Sequence, residues 1–219
     1  MIRLENVNKT FVLNGRHKTV AKDICATFET GTSVAILGRN GAGKSSLLRM
    51  IAGTLNPDRG KIVSDGSISW PVGFGGTSHP ELTGVQNTRF VGRIYGVDTD
   101  ELVDFVADFA ALGSHFNLPV RSYSSGMRSR LAFGISMGID FDTYLVDEIT
   151  AVGDAAFKSK SEALFAERVK SRSAIVVSHS VGQVRRLCDK AAVLENGKLS
   201  FHDDVEEALS IHRDTMHKK

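Results

Sequence analysis

Ser33-Val34-Ala35-Ile36-Leu37-Gly38-Arg39-Asn40-Gly41-Ala42-Gly43-Lys44-Ser45 is the stretch on which the fold turns. Its first five residues form a short apolar run of the kind that makes a buried parallel strand. The rest fits the pattern G-x-x-x-x-G-K-[ST] in full. Beyond it, Leu47, Leu48, Met50 and Ile51 recur at helical spacing until Gly53 and Pro57 stop the helix. Strand, glycine loop and helix in that order predict a phosphate-binding loop. Small residues let successive backbone N–H groups turn inward around phosphate oxygens, and the helix adds its positive N-terminal end. Gly38, Asn40, Gly41, Gly43, Lys44, Ser45 and Ser46 are the expected nucleotide-binding residues. Lys44 can bridge the β- and γ-phosphates, and the Ser45 hydroxyl can join a Mg²⁺ shell.

Working outward, Tyr144-Leu145-Val146-Asp147-Glu148 puts two acids at the end of an apolar strand, where parallel sheets bind ligands. Asp147 suits Mg²⁺, directly or through water. Glu148, the next residue, can orient or deprotonate an attacking water. Read alone, both acids are equally well solvated loop residues. Val176-Val177-Ser178-His179-Ser180 carries a histidine after another apolar strand. His179 is either a satisfied structural residue or a hydrogen-bond partner for a γ-phosphate and its attacking water.

The remaining sequence frames this core. The first thirty residues alternate in strand fashion, with turns at Asn14-Gly15 and Thr30-Gly31. Asp98 and Glu101 form a capping pair for a helix ending near Gly113, and a second helix follows Ser124-Ser125. Later segments predict a helix over 155–169, a strand over 174–177, a helix over 181–187 and an edge strand over 191–194 turned at Asn196-Gly197. Alternating β and α with a helical insertion argues for an α/β core plus a helical subdomain. The chain has 219 residues, 27 Lys+Arg against 25 Asp+Glu, and a net charge of +2, which gives no footprint for nucleic acid. No apolar run approaches the roughly 18 residues that span a bilayer, and MIRLENVNKT lacks the apolar stretch of a secretory signal. Cys25 and Cys188 have no metal-ligand spacing and are expected to be reduced thiols in a cytosolic protein.

Tyr123-Ser124-Ser125-Gly126-Met127-Arg128, before an apolar helix, resembles the L-S-G-G-Q signature of ABC-transporter ATP-binding subunits. Ser125 and Gly126 match; Met127 and Arg128 depart. The other family elements follow in order. By this resemblance Phe11 stacks on adenine, Glu148 is the catalytic glutamate, Asp154 belongs to the D-loop and His179 is the switch histidine. Lys44, Glu148 and His179 are then the catalytic set, with ATP and Mg²⁺ (on Ser45 and Asp147) bound at the site. The implied fold is α/β, a RecA-like P-loop core with an antiparallel β subdomain and an inserted helical subdomain. One domain spans 1–219, with core and β subdomain over about 1–78 and 138–219 and helices over about 79–137.

The resemblance implies a head-to-tail homodimer that traps two ATPs, with Ser124, Ser125, Gly126 and Met127 acting in trans. The signature helix N-terminus supplies the second anion-binding surface such a dimer needs. It further implies integral membrane permease subunits, periplasm-spanning export components reached through them, no nucleic acid, and a place on the cytoplasmic face of the inner membrane. The family's usual Mg²⁺-contacting glutamine has no counterpart; its position falls near Phe74, and Gln86 comes too late. The segments 69–73, 79–84 and 123–131 resemble the polysaccharide-export branch, in particular the ATP-binding subunits of Gram-negative capsular-polysaccharide exporters. The end at Lys219 leaves no length for the carbohydrate-binding domain that O-antigen exporters often add, so capsule export is expected. O-antigen or teichoic-acid export, a soluble repair or translation ATPase and a small-molecule kinase are the rivals. Residues 70–95 are the expected groove for a short helix of the membrane subunit, and the basic tail from Arg213 to Lys219 is expected to fray.

Overall fold

A computed structural model describes residues 1–13, 15–72, 78–147 and 155–217. The chain opens with β1 (Ile2–Leu13), β2 (Arg16–Phe28), β3 (Val34–Leu37), α1 (Lys44–Ile51), β4 (Arg59–Ser64) and β5 (Ile68–Pro71). Three helices follow: α2 (Gly84–Tyr95), α3 (Thr99–Ala110) and α4 (Ser125–Gly138). The chain then returns to alternation through β6 (Thr143–Asp147), α5 (Ala155–Ser171), β7 (Ser173–Val177) and α6 (Val181–Leu187). It closes with β8 (Lys190–Glu195), β9 (Lys198–His202) and α7 (Val205–His217).

Two compact units emerge. The first comprises Met1–Pro71, Phe141–Glu148 and Val169–Lys219. Within it, β2-β1-β4 form an antiparallel sheet and β5-β6-β7-β3-β8-β9 a second sheet, parallel except for β9. Both sheets share one core with α1. Ile2, Leu4, Val7, Ile24 and Phe28 of the hairpin, Leu47, Leu48, Met50 and Ile51 of the helix, and Ile36, Leu145, Ile175 and Leu194 of the larger sheet belong to it. The architecture is α/β, with the parallel core and antiparallel β sheet the sequence predicts. The central strands β3 and β7 are buried along their whole length, which is why they read as unbroken apolar runs.

The second unit comprises Val72–Asp140 and Ile149–Arg168. In it α4 lies tightly on α3: a Cβ on Gly134 would stand 3.5 Å from Phe109, and one on Gly138 only 2.4 Å from Leu102. Phe105, Phe109, Phe133 and Phe157 form a continuous ring cluster beside them.

Three expectations change. The strand over 191–194 is internal, because β8 bonds to β3 on one side and β9 on the other. Its edge reading fails because the chain turns at Asn196-Gly197 (φ 50° and 77°) and adds β9 as the true edge. The helix expected to end near Gly113 stops three residues earlier at Ala110, where Ala111 adopts a left-handed φ of 48°, and Gly113 starts a 3₁₀ turn. The basic tail is helical to His217, with Arg213 Nε donating to the Leu209 carbonyl and Thr215 Oγ1 to that of Ile211.

Candidate functional site

β3 ends at Leu37, β6 at Asp147 and β7 at Val177. These strands run parallel as neighbours, so their carboxyl ends open on one edge of the sheet. At that edge lies a cavity of about 420 Å³. Phe11, Asn40, Gly41, Gly43, Lys44, Ser45, Ser46, Asp147 and His179, all expected from the sequence, line it. Lys18, Val20 and Val177 line it too.

The loop geometry follows from its glycines. Gly41 and Gly43 hold φ of 76° and 110°, which a side chain rarely adopts. The turn is closed by Ala42 N–H donating to the Arg39 carbonyl at 3.0 Å. Lys44 is buried and its Nζ curls back across the loop, donating to the carbonyls of Gly38 at 2.7 Å and Arg39 at 3.2 Å.

The start of α1 is the chemically open feature. Helix N-termini leave backbone donors without intrahelical partners. α2, α3, α4 and α6 fill theirs with the side chains of Thr83, Asp98, Ser124 and Ser180. α1 has Gly43 at this position, no side-chain cap, and no acid in its first turn. Gly43, Lys44, Ser45 and Ser46 of this uncapped start line the cavity, and the ligand that such a helix N-terminus favours is an anion. The Ser45 hydroxyl and the Asp147 carboxylate on the same cavity are hard oxygen donors that suit Mg²⁺.

His179 is held between the end of β7 and the cap of α6. Ser178 Oγ donates to Gln183 Oε1 at 2.9 Å and accepts from Ser180 N–H at 3.0 Å, while Ser180 Oγ accepts from Gln183 N–H. His212 of α7 lies within electrostatic reach of both Lys44 and His179. Burial first, then these two neighbours, lowers its pKa below the usual imidazole value, and its buried Nδ1 has no hydrogen-bond partner among the described residues. Lys18 on the cavity wall and His212 within electrostatic reach of that wall carry no sequence signal of their own; strand register places the first and the return of α7 the second.

Other expected residues lie elsewhere. Gly38 is not on the cavity wall: a Cβ there would meet the Leu194 carbonyl at 2.5 Å, so the residue allows β3 and β8 to approach. Ser124, Ser125, Gly126 and Met127 begin α4 in the second unit, where Ser124 Oγ accepts from Met127 N–H at 3.2 Å. Glu148, Asp154 and Phe74 lie outside the described residues. Gln86 is occupied locally: its Oε1 accepts from Thr83 N–H in a capping box for α2.

With that geometry in hand, the sequence matches the ABC transporter family over residues 21–151. It is 48% identical over 213 residues to the polysialic acid transport ATP-binding protein KpsT of Escherichia coli, covering 95% of each chain. It is 44% identical to the ATP-binding protein BexA of Haemophilus influenzae, covering 99% of this chain and 100% of the relative. Among solved structures, a dimeric ATP-binding cassette in a post-hydrolysis state, bound to ADP and Pi, superposes with a TM-score of 0.77. The sequences are 20% identical, and the match covers 93% of this chain and 98% of that one.

Proposed function

Since the chain belongs to the ABC transporter family, we propose that it is the ATP-hydrolysing subunit of a capsular-polysaccharide exporter. The observation that carries the reading is 48% identity over 95% of each chain to a polysialic acid transport ATP-binding protein, beside 45% identity to the capsule polysaccharide export ATP-binding protein CtrD of Neisseria meningitidis. Export of O-antigen is the weaker alternative, since the O-antigen export ATP-binding protein of Klebsiella pneumoniae is 33% identical.

ATP would set its adenine against Phe11 and Val20 and its phosphates against the uncapped start of α1. Lys44, released from the loop carbonyls, would move to the β- and γ-phosphates. Mg²⁺, held by Ser45 and Asp147, would neutralise phosphate charge. In this scheme Glu148 orients the attacking water and His179 donates to the γ-phosphate. The signature residues Ser124, Ser125, Gly126 and Met127, with Asp154, complete the site from a second copy. One ATP-binding domain over the whole chain, dimerising on ATP, is the unit we infer.

Among the described residues no helix is long and apolar enough to cross a membrane. In this reading permease subunits hold the chain at the cytoplasmic face of the inner membrane. Phe90 and Ile94, one turn apart on α2 and 54% and 61% exposed, with Tyr95 beside them, give such a partner an apolar face. Periplasm-spanning components would be reached only through it.

The test is complementation of an Escherichia coli strain lacking KpsT. Expression of this chain should restore surface polysaccharide, and Lys44→Ala should not, with purified turnover falling about 100-fold or more. Full ATPase activity without restored export would overturn the capsule assignment. Near-normal turnover of Lys44→Ala would overturn the site.

A further inference from the structure

We propose that Lys18, on β2, is a second cation for the phosphate chain of the nucleotide; the proposal rests on the nucleotide reading above. β1 and β2 pair antiparallel with Phe11 directly opposite Lys18, so both side chains leave the hairpin on one face. Val20, two residues on, shares that face. The face sits on the phosphate loop at two glycines of the same spacing. A Cβ on Gly43 would lie 2.6 Å from Val20 Cβ, and one on Gly41 would lie 3.0 Å from Lys18 Nζ. The ammonium thus occupies the space a side chain at position 41 would take, against loop backbone that lines the cavity.

Lys18 also borders a neighbouring cavity of about 400 Å³ walled by Arg39, Asn40, Glu195 and Asn196. It therefore stands at the partition between two openings beside the phosphate loop. Lys44 is buried and tied to two loop carbonyls, whereas Lys18 is exposed and, among the described residues, has no ion-pair partner. A compact ammonium on a flexible stem can follow a phosphate oxygen that enters beside Gly41. The apolar neighbours Phe11 and Val20 on the same face suit the base and sugar, which leaves the phosphates to the charged member of the trio.

The experiment is competition of ATP, ADP and AMP against a fluorescent ATP analogue on the purified full chain, for wild type, Lys18→Met and Lys18→Arg. Lys18→Met should weaken ATP and ADP about 5- to 10-fold and AMP less than 2-fold, and Lys18→Arg should recover most of the loss. Retained AMP binding shows that Lys18→Met is folded. Lys18→Met with the wild-type ATP-to-AMP ratio would overturn the role of Lys18 alone. Wild-type protein that binds none of the three would overturn the nucleotide reading beneath it.

Discussion

Gly43 is the residue where backbone and packing constraints coincide. Its φ of 110° lies where a side chain is strained, and a methyl group there would stand 2.6 Å from Val20 Cβ and 3.1 Å from the Val20 carbonyl oxygen. Gly41 shares the backbone constraint, at φ 76°, but a methyl group would meet only the flexible end of Lys18. The two glycines therefore separate strain from crowding. Gly43→Ala should cost about 1–3 kcal/mol more than Gly41→Ala, because the added methyl overpacks a fixed strand rather than displacing a mobile ammonium. Urea unfolding of the two variants measures the difference. Equal midpoints would mean that the hairpin yields at Val20 and that the close approach is not a constraint.

α2 shows how an element escapes a sequence pattern. Its buried positions include Gly84, Asn87, Thr88 and Gly92, while Phe90, Ile94 and Tyr95 are exposed, so its hydrophobic periodicity points the wrong way. Its start is nonetheless written in Thr83 and Gln86, whose side chains exchange hydrogen bonds with each other's backbone N–H. Thr83→Ala should lower stability by about 1 kcal/mol and leave ATP affinity unchanged; calorimetry beside a nucleotide titration checks both. A variant that kept its stability would show that α2 is fixed by packing alone. β4 escapes for a related reason: all but one of its six residues are exposed, so no alternation survives. β3, β6 and β7 were legible because burial on both faces leaves continuous apolar runs. The same contrast divides the site. The phosphate loop and Asp147 are legible because each is contiguous in the chain and follows a readable strand. Lys18 is not, since its place depends on a hairpin register that pairs it with Phe11, and nothing in its own stretch of chain marks it as facing a ligand. His212 depends on the end of a helix that reads as a basic tail.

For the whole molecule the decisive quantity is how carboxylates are held when pH falls. Asp58, Asp98, Asp142, Asp203 and Glu206 all have pKa values below the ordinary carboxylate range. Hydrogen bonds come first in each case: to Lys9 and Thr10 for Asp58, to Glu101 and Asp100 backbone for Asp98, to Ser67 for Asp142, to Lys190 for Asp203 and to Arg185 for Glu206. A carboxylate depressed in the folded state stabilises it above the unfolded pKa of about 4. Below that value the unfolded chain binds more protons, and the contribution disappears as pH falls through the folded pKa. Stability should therefore decline below about pH 4 through these acids, after a smaller fall that begins near pH 6.5, where the unfolded chain takes up a proton that the depressed imidazole of His212 does not. Self-repulsion acts in the same direction, since a chain that starts at +2 becomes strongly positive as its acids are protonated. Asp142 separates the two effects. Its Oδ2 accepts from both Ser67 N–H and Ser67 Oγ at 2.8 Å, tying the turn before β5 to the start of β6. Asp142→Asn removes one titrating group while leaving the remaining acids to build up charge. The variant should be less stable than wild type at pH 6, and the gap should narrow at pH 3, as read from urea midpoints at each pH. A gap that stayed constant would assign the acid sensitivity to repulsion and remove Asp142 from it.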